Sequence, residues 1–198
     1  MRTMIKAQFI AMVLTANLAV WSCGAVAADT RIEGQVQGAG GPIANSIVNL
    51  WGTSVDGPSQ LSQVNSDTGG RFEISVAQSP NKDTSLYLVA TGGEPAASKA
   101  GGDNPAIALM TVLGNTVPAK VTINEFTTVA SVWAHNQFLD GMAIKGPALS
   151  LRIAAGNVPD FVDLETGGWG KPSKVLLTAA RRRRWRISRR SPTYLPPA

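Results

Sequence analysis

The chain has 198 residues and a formal net charge of +5, placed very unevenly along it. Residues 1–170 carry nine Lys or Arg against thirteen Asp or Glu, a net of −4, whereas residues 171–198 carry nine basic residues and no acid, +9. The pI near 9.7 therefore belongs to the tail, and the body of the chain gives no support to nucleic acid as a partner.

Arg2 and Lys6 form a positive n-region, Phe9 to Trp21 a short apolar core, and Ala25-Val26-Ala27 an A-x-A cleavage site. This is the pattern of a secretory signal over residues 1–27. The apolar stretch contains Asn17 and is too short to span about 30 Å of hydrocarbon comfortably. The mature chain is expected to begin near Ala28 or Asp29, periplasmic or extracellular, with no stable membrane span. Cys23, in Val20-Trp21-Ser22-Cys23-Gly24, loosely resembles a lipoprotein box in which Trp21 fits poorly, so a lipid anchor through Cys23 is the alternative. Cleavage after Ala27 removes the only cysteine, and with it disulfides, thiolate catalysis and cysteine-ligated zinc.

Residues 28–123 read as strands. Ile32 and Val36 flank Gly34 in a first run that Gly38 to Pro42 breaks; Ser46 to Trp51 is a second, and Leu61 to Val64 a weaker third. Phe72, Ile74 and Val76 alternate with Arg71, Glu73 and Ser75, the period of a half-buried strand. Leu86 to Ala90 is denser and expected to be central. Ile107 to Leu113 and Val117 to Ile123 bracket Gly114-Asn115, an expected hairpin turn. Asp67-Thr68-Gly69-Gly70 suits a tight turn, and the Gly, Ala and Pro rich residues 91–105 are expected to form a mobile surface loop. About seven short strands with such turns predict a mainly β chain built on an antiparallel sandwich.

Gly41-Pro42-Ile43-Ala44-Asn45-Ser46-Ile47-Val48-Asn49-Leu50, followed by Asp67-Thr68-Gly69-Gly70-Arg71-Phe72, resembles the carboxypeptidase regulatory-like, or transthyretin-like, domain. Ser46 stands where that pattern has Ala, and Ser66 where it has Thr. The match covers residues 30–91 well and continues loosely to 123. It implies an immunoglobulin-like sandwich in an exported or surface protein, usually as a non-catalytic accessory module.

After Ile123 the period changes. Asn124 is expected to cap a helix whose apolar residues Phe126, Val129, Ala130 and Trp133 follow i, i+3, i+4, i+7, ending near Gly141. Pro147 then opens a second short helix over Leu149 to Ala155, stopped by Gly156-Asn157. The apolar faces of this helical extension, residues 124–170, need a partner: the sandwich, or a domain further along the chain. Thr122 to Ala130 and Leu151 to Asp163 are similar to the linker of bacterial exported proteins in which such helices precede an NHL-type or streptogramin-lyase-like propeller. That resemblance implies an N-terminal portion of a longer surface or periplasmic protein. The alternative function is an accessory domain of a propeller-type lyase-like enzyme.

Arg181 to Arg190 holds seven arginines around Trp185, either a working polybasic segment or a solvated disordered tail that Pro192, Pro196 and Pro197 keep out of any core. With a free choice of synonymous codons, residues 178–195 re-read one nucleotide earlier as NSGETPTMANFATLANL, which has no arginine and resembles the family's continuation after Gly-Trp-Gly. A tail out of frame is therefore expected.

No catalytic or cofactor-binding constellation emerges. His135, the only histidine, has no cysteine partner and is expected at the surface or a boundary. Asp160, Asp163 and Glu165 lie close together but lack the glycine and loop length of an EF-hand, so no metal is expected. Glu125 suits the positive end of the helix dipole better than the role of a base. The serines have no histidine in a recognisable motif, and Gly92-Gly93 and Gly101-Gly102 lack a phosphate loop's Lys and Ser or Thr. The expected function is a non-catalytic, exported structural or binding module whose partner is a protein or glycan at the cell surface.

Overall fold

The computed structural model describes residues 30–76, 81–97 and 101–170. The expected signal segment with Cys23 and the basic tail, residues 171–198, lie outside them. The described chain is mainly β, with two sheets packed face to face followed by two helices. The first sheet holds β1 (Thr30–Gly38), β2 (Gly41–Ala44), β5 (Arg71–Val76), β7 (Glu94–Pro95) and β9 (Lys120–Ile123). The second runs in the order β4 (Gly57–Asn65), β3 (Ile47–Ser54), β6 (Ser85–Thr91), β8 (Ala108–Gly114). A small hairpin, β10 (Leu139–Asp140) with β11 (Ala143–Ile144), stands apart from both.

Alternation in the sequence becomes the inter-sheet core. Ile32 and Val36 of β1, Phe72, Ile74 and Val76 of β5, and Val121 and Ile123 of β9 meet Val48 and Leu50 of β3 and Leu86, Leu88 and Ala90 of β6. Gly34 continues the inward face of β1, but its place is taken by the Phe72 ring opposite: a Cβ there would lie 2.2 Å from that ring. The turn before β5 is held by Asp67, whose carboxylate accepts from the N–H groups of Gly69 and Arg71, both at 2.8 Å. Gly70 closes it with φ 72°, and a Cβ would meet the Val36 carbonyl at 2.5 Å, so glycine is required. Ser66 and Ser46 are both buried and bound to backbone, Ser66 to the Ile43 carbonyl and Ser46 to that of Thr91.

Strand β6 is buried on both faces. Leu86, Leu88 and Ala90 face the other sheet, while Tyr87 and Val89 face the helices, giving a sheet, sheet, helix arrangement. Helix α1 (Glu125–His135) and helix α2 (Ala148–Phe161) close this second core with Ala130, Leu151 and Val158 against Tyr87, Val89, Met110 and Val112. Burying Leu151 and Val158 contributes roughly 1.5–3 kcal/mol each. The sandwich is thus the partner of α2 and of one face of α1.

Four expectations are corrected. Gly114-Asn115 does not turn a hairpin: Gly114, at φ 73°, releases β8 from one sheet, and β9 pairs with β1 in the other, in parallel, where Val121 and Ile123 fill the core. The first helix ends at His135 rather than near Gly141, giving way to a 3-10 turn (Asn136–Phe138) and the β10–β11 hairpin. The second helix does not stop at Gly156-Asn157; burial of Val158 carries it through both and past Pro159 to Phe161. Finally, much of residues 91–105 is tied down. β7 pairs with β2, and the N–H of Gly93 donates to the Asp103 carboxylate at 2.6 Å.

Candidate functional site

The site begins with the way α1 is attached. Asn124 caps it as expected, its side chain accepting from the Thr127 N–H while Thr127 Oγ1 accepts from the Asn124 N–H, a reciprocal capping box. Glu125, in the first turn, accepts from the Ala39 N–H at 2.6 Å and so links the helix start to the β1–β2 turn. Its carboxylate is a fastener at the helix N-terminus, where the dipole favours negative charge.

The buried face of α1 is not the aromatic one. Thr127, Ala130, Ser131 and His135 point inward. β8 is an edge strand with outward N–H groups, and the helix satisfies two of them: Met110 N–H donates to Thr128 Oγ1 and Val112 N–H to Ser131 Oγ, each at 3.0 Å. A hydroxyl-bearing face against a strand edge replaces the missing neighbour strand, closing the edge to other chains.

This requirement turns Phe126, Val129 and Trp133 outward. Trp133 is 71% exposed and Val129 68%. They form a groove of about 390 Å³ with Phe161, from the end of α2, and Trp169. Trp169 is set there by the loop after α2. Thr122 Oγ1 donates to the Glu165 carbonyl at 2.7 Å, Asn124 Nδ2 donates to the Gly167 carbonyl at 3.0 Å, and Val162 bridges Trp169. Gly167 permits that approach: it has φ 65°, and a Cβ would lie 2.4 Å from Asn124 Nδ2. Trp169 then meets the Phe126 ring at 5.3 Å between centroids, tilted by 58°.

His135 is not at the surface. It is fully buried, with Nδ1 3.1 Å from the Ser131 carbonyl, and Nε2 finds no hydrogen-bond partner among the described residues. Burial lowers its pKa below the ordinary 6.5, against the pull of the Ser131 and Leu151 carbonyls. The Leu151 carbonyl favours the charged form but does not complete hydrogen-bond geometry with Nε2. Tyr87, stacked on Trp51 at 6.3 Å, has its pKa raised by burial, partly offset by the backbone of Ile144.

Among the described residues, no group of three or more His, Cys, Asp and Glu is placed to hold a metal. Of the acidic trio, Asp163 accepts from the N–H groups of Glu165 and Thr166 and so shapes the loop that positions Trp169. A second, polar concavity of about 610 Å³ crosses β5, β1 and β9, with Glu33, Gln35, Arg71, Glu73 and Lys120 on its walls. The Arg31–Glu73 ion pair on the same sheet is exposed, and such pairs contribute little. Among the described residues, no helix is long and apolar enough to cross a membrane.

The sequence named Phe126, Val129 and Trp133 as an apolar face in need of a partner, the sandwich or a domain further along the chain, and of these the sandwich does not cover them. It passed over Phe161 and Trp169 as groove residues. For Trp169 the available signal was its flanking glycines in Gly167-Gly168-Trp169-Gly170, which mark a backbone held close to something.

No protein-family model matches this chain, and no curated protein matches it. A partial likeness exists to a solved structure, a 9R-lipoxygenase from Cyanothece PCC8801, at 18% identity and a TM-score of 0.33. It covers 48% of this chain and 16% of that one, and similarity at this level carries no argument about fold or function.

Proposed function

We propose that this chain is an exported, non-catalytic module that docks polypeptide on its helical layer and so braces a neighbouring part of a surface or periplasmic protein. The observation that carries this reading is the exposed groove in which Phe126, Val129, Trp133, Phe161 and Trp169 are gathered. Clustered exposed aromatics of this kind mark interaction sites, because water gains nothing from contact with them and a partner's apolar side chains do. The polar groups beneath the groove are engaged with backbone: Thr127, Thr128 and Ser131 cap the helix or serve β8. The resemblance of residues 30–91 to the regulatory-like domain supports an accessory role, and the n-region, apolar core and A-x-A site support export.

Two measurements test it. The mass of the protein recovered from fractionated cells is expected to correspond to a start at Ala28 or Asp29 outside the cytoplasm; a cytoplasmic chain retaining Met1 overturns export. A photo-crosslinking residue at Trp133 is expected to give polypeptide adducts several-fold above one at Leu61, an exposed apolar position on β4. Equal yields at the two positions overturn docking.

A further inference from the structure

We infer that the groove takes a basic segment of a partner polypeptide, one that lays a Lys or Arg side chain on the indole rings with branched aliphatic residues beside it. The inference rests on the docking reading above and names the chemistry of the partner.

The first argument is the charge around the groove. Residues 121–144 carry Glu125 and Asp140, and residues 153–170 carry Asp160, Asp163 and Glu165, with no Lys or Arg in either stretch. These two stretches supply every residue of the groove. Lys120, Lys145 and Arg152 lie just beyond them in the chain, and none of the three lines it. Glu125 is the one charged side chain on the walls. It holds the Ala39 N–H, and a carboxylate has acceptor sites to spare beyond one such bond. Asp160 precedes Phe161 at the end of α2, and Asp163 and Glu165 stand in the loop that sets Trp169. An apolar site framed by acids alone complements a partner that is apolar and cationic.

The second argument is the rings. Trp133 and Trp169 are 71% and 51% exposed, so their indoles are open to an approaching group. Indole is the aromatic ring that attracts a cation most strongly, within about 6 Å of its centre. Phe126 and Trp169 are inclined by 58° rather than stacked, which leaves a corner between two planes. The stem of Lys or Arg is apolar along its length and charged at its tip, so it can fill such a corner while its head meets an indole face or Glu125.

The third argument excludes other occupants. A sugar needs several polar partners for its hydroxyls, and among walls of Phe, Val, Ala and Trp only Glu125 offers one. An anionic lipid surface draws basic segments and repels this acidic rim. An uncharged apolar segment would cover Glu125 without replacing its lost hydration. At about 390 Å³ the groove is at the small end of binding sites, so it fits a short segment rather than a folded surface.

The test titrates the full chain by calorimetry with a synthetic peptide, acetyl-Gly-Leu-Arg-Leu-Gly-Leu-Arg-Leu-Gly-amide, and with its counterpart in which citrulline, neutral and of the same shape, replaces both arginines. The arginine peptide is expected to bind at least about tenfold tighter, to lose that margin as salt is raised, and to lose binding in Trp133→Ser. Glu125→Gln with Asp160→Asn is expected to shrink the margin several-fold; both residues are exposed, and Gln keeps the oxygen that serves Ala39. Equal affinity for the two peptides, lost in Trp133→Ser, overturns the cationic partner and keeps the docking reading. No binding of either peptide at about millimolar concentration also overturns it, and crosslinking at 133 against 61 then decides whether docking itself stands. Trp133-dependent binding to phosphatidylglycerol vesicles, or Trp133-dependent dimers of the chain, overturns it in favour of a lipid surface or a second copy.

Discussion

The two cores of this molecule are built on different terms. Between the sheets, each strand contributes one alternating apolar face, and Ile32, Leu50, Ile74 and Leu88 leave almost nothing to solvent. Between the second sheet and the helices, α1 buries Thr127, Ser131 and His135 beside Ala130 and leaves Phe126, Val129 and Trp133 outside. The difference comes from what each layer has to satisfy. A sheet face offers only side chains, so apolar contact decides; a strand edge offers unpaired N–H groups, so hydroxyls win the buried face of the helix that covers it. The aromatic side of α1 is exposed as a consequence, and it is the surface we propose for docking.

That contrast can be broken at several points. The largest effect is expected in the inter-sheet core: Leu88→Ala should cost about 2–5 kcal/mol, because a fully buried leucine leaves a cavity that neighbours on both sheets fill only in part. Urea unfolding of the variant against the parent reads it directly. Ser131→Ala comes next, at about 1–3 kcal/mol by the same measurement, since it strands the Val112 N–H in a buried place. A loss near zero there would mean that edge satisfaction does not hold α1 in its orientation.

A smaller effect concerns pH. Because burial lowers the pKa of His135 in the folded state, the unfolded chain takes up that proton first as pH falls through 6.5. The histidine's contribution to stability is therefore complete above about 6.5 and lost on acidification, by at most about 1.4 kcal/mol per pH unit until the folded-state pKa is reached. Unfolding followed from pH 8 to 5 should show this loss in the parent and a flatter profile in His135→Leu. The smallest effect is expected in the groove, where Trp133→Ser should change stability by no more than about 0.5 kcal/mol while abolishing docking. A large destabilisation at Trp133 would reverse the assignment of the two faces.

Much of the sandwich was legible in the sequence because alternation is a local signal. The seven runs from Ile32 to Ile123 correspond to β1, β3, β4, β5, β6, β8 and β9, and the density of Leu86 to Ala90 foretold a central strand, which the structure shows buried on both faces. The added short strands β2, β7, β10 and β11 were not legible, since two to four residues are too few to show a period. Pairing was legible only in part. Gly114-Asn115 has the composition of a hairpin turn, yet whether β9 pairs with β8 or crosses to β1 depends on which edge is free and which core is unfilled.

What the sequence by itself determined is the class of the protein: an excess of positive charge confined to the tail, a strand-rich region with Asp67-Gly70 as a turn, and Asn124 as the start of a helix. These follow from steric and hydrogen-bonding rules that act within a few residues. Only the tertiary structure decided that α2 continues past Gly156, that His135 is buried, and that Trp133 faces outward. In each case a distant group sets the outcome, whether Val89 and Met110 beneath Val158, the carbonyl of Ser131 with Leu151 around the imidazole, or the β8 edge that claims the hydroxyl side of α1. A helix periodicity identifies an apolar stripe, but the partner's need for hydrogen bonds chooses which stripe is buried.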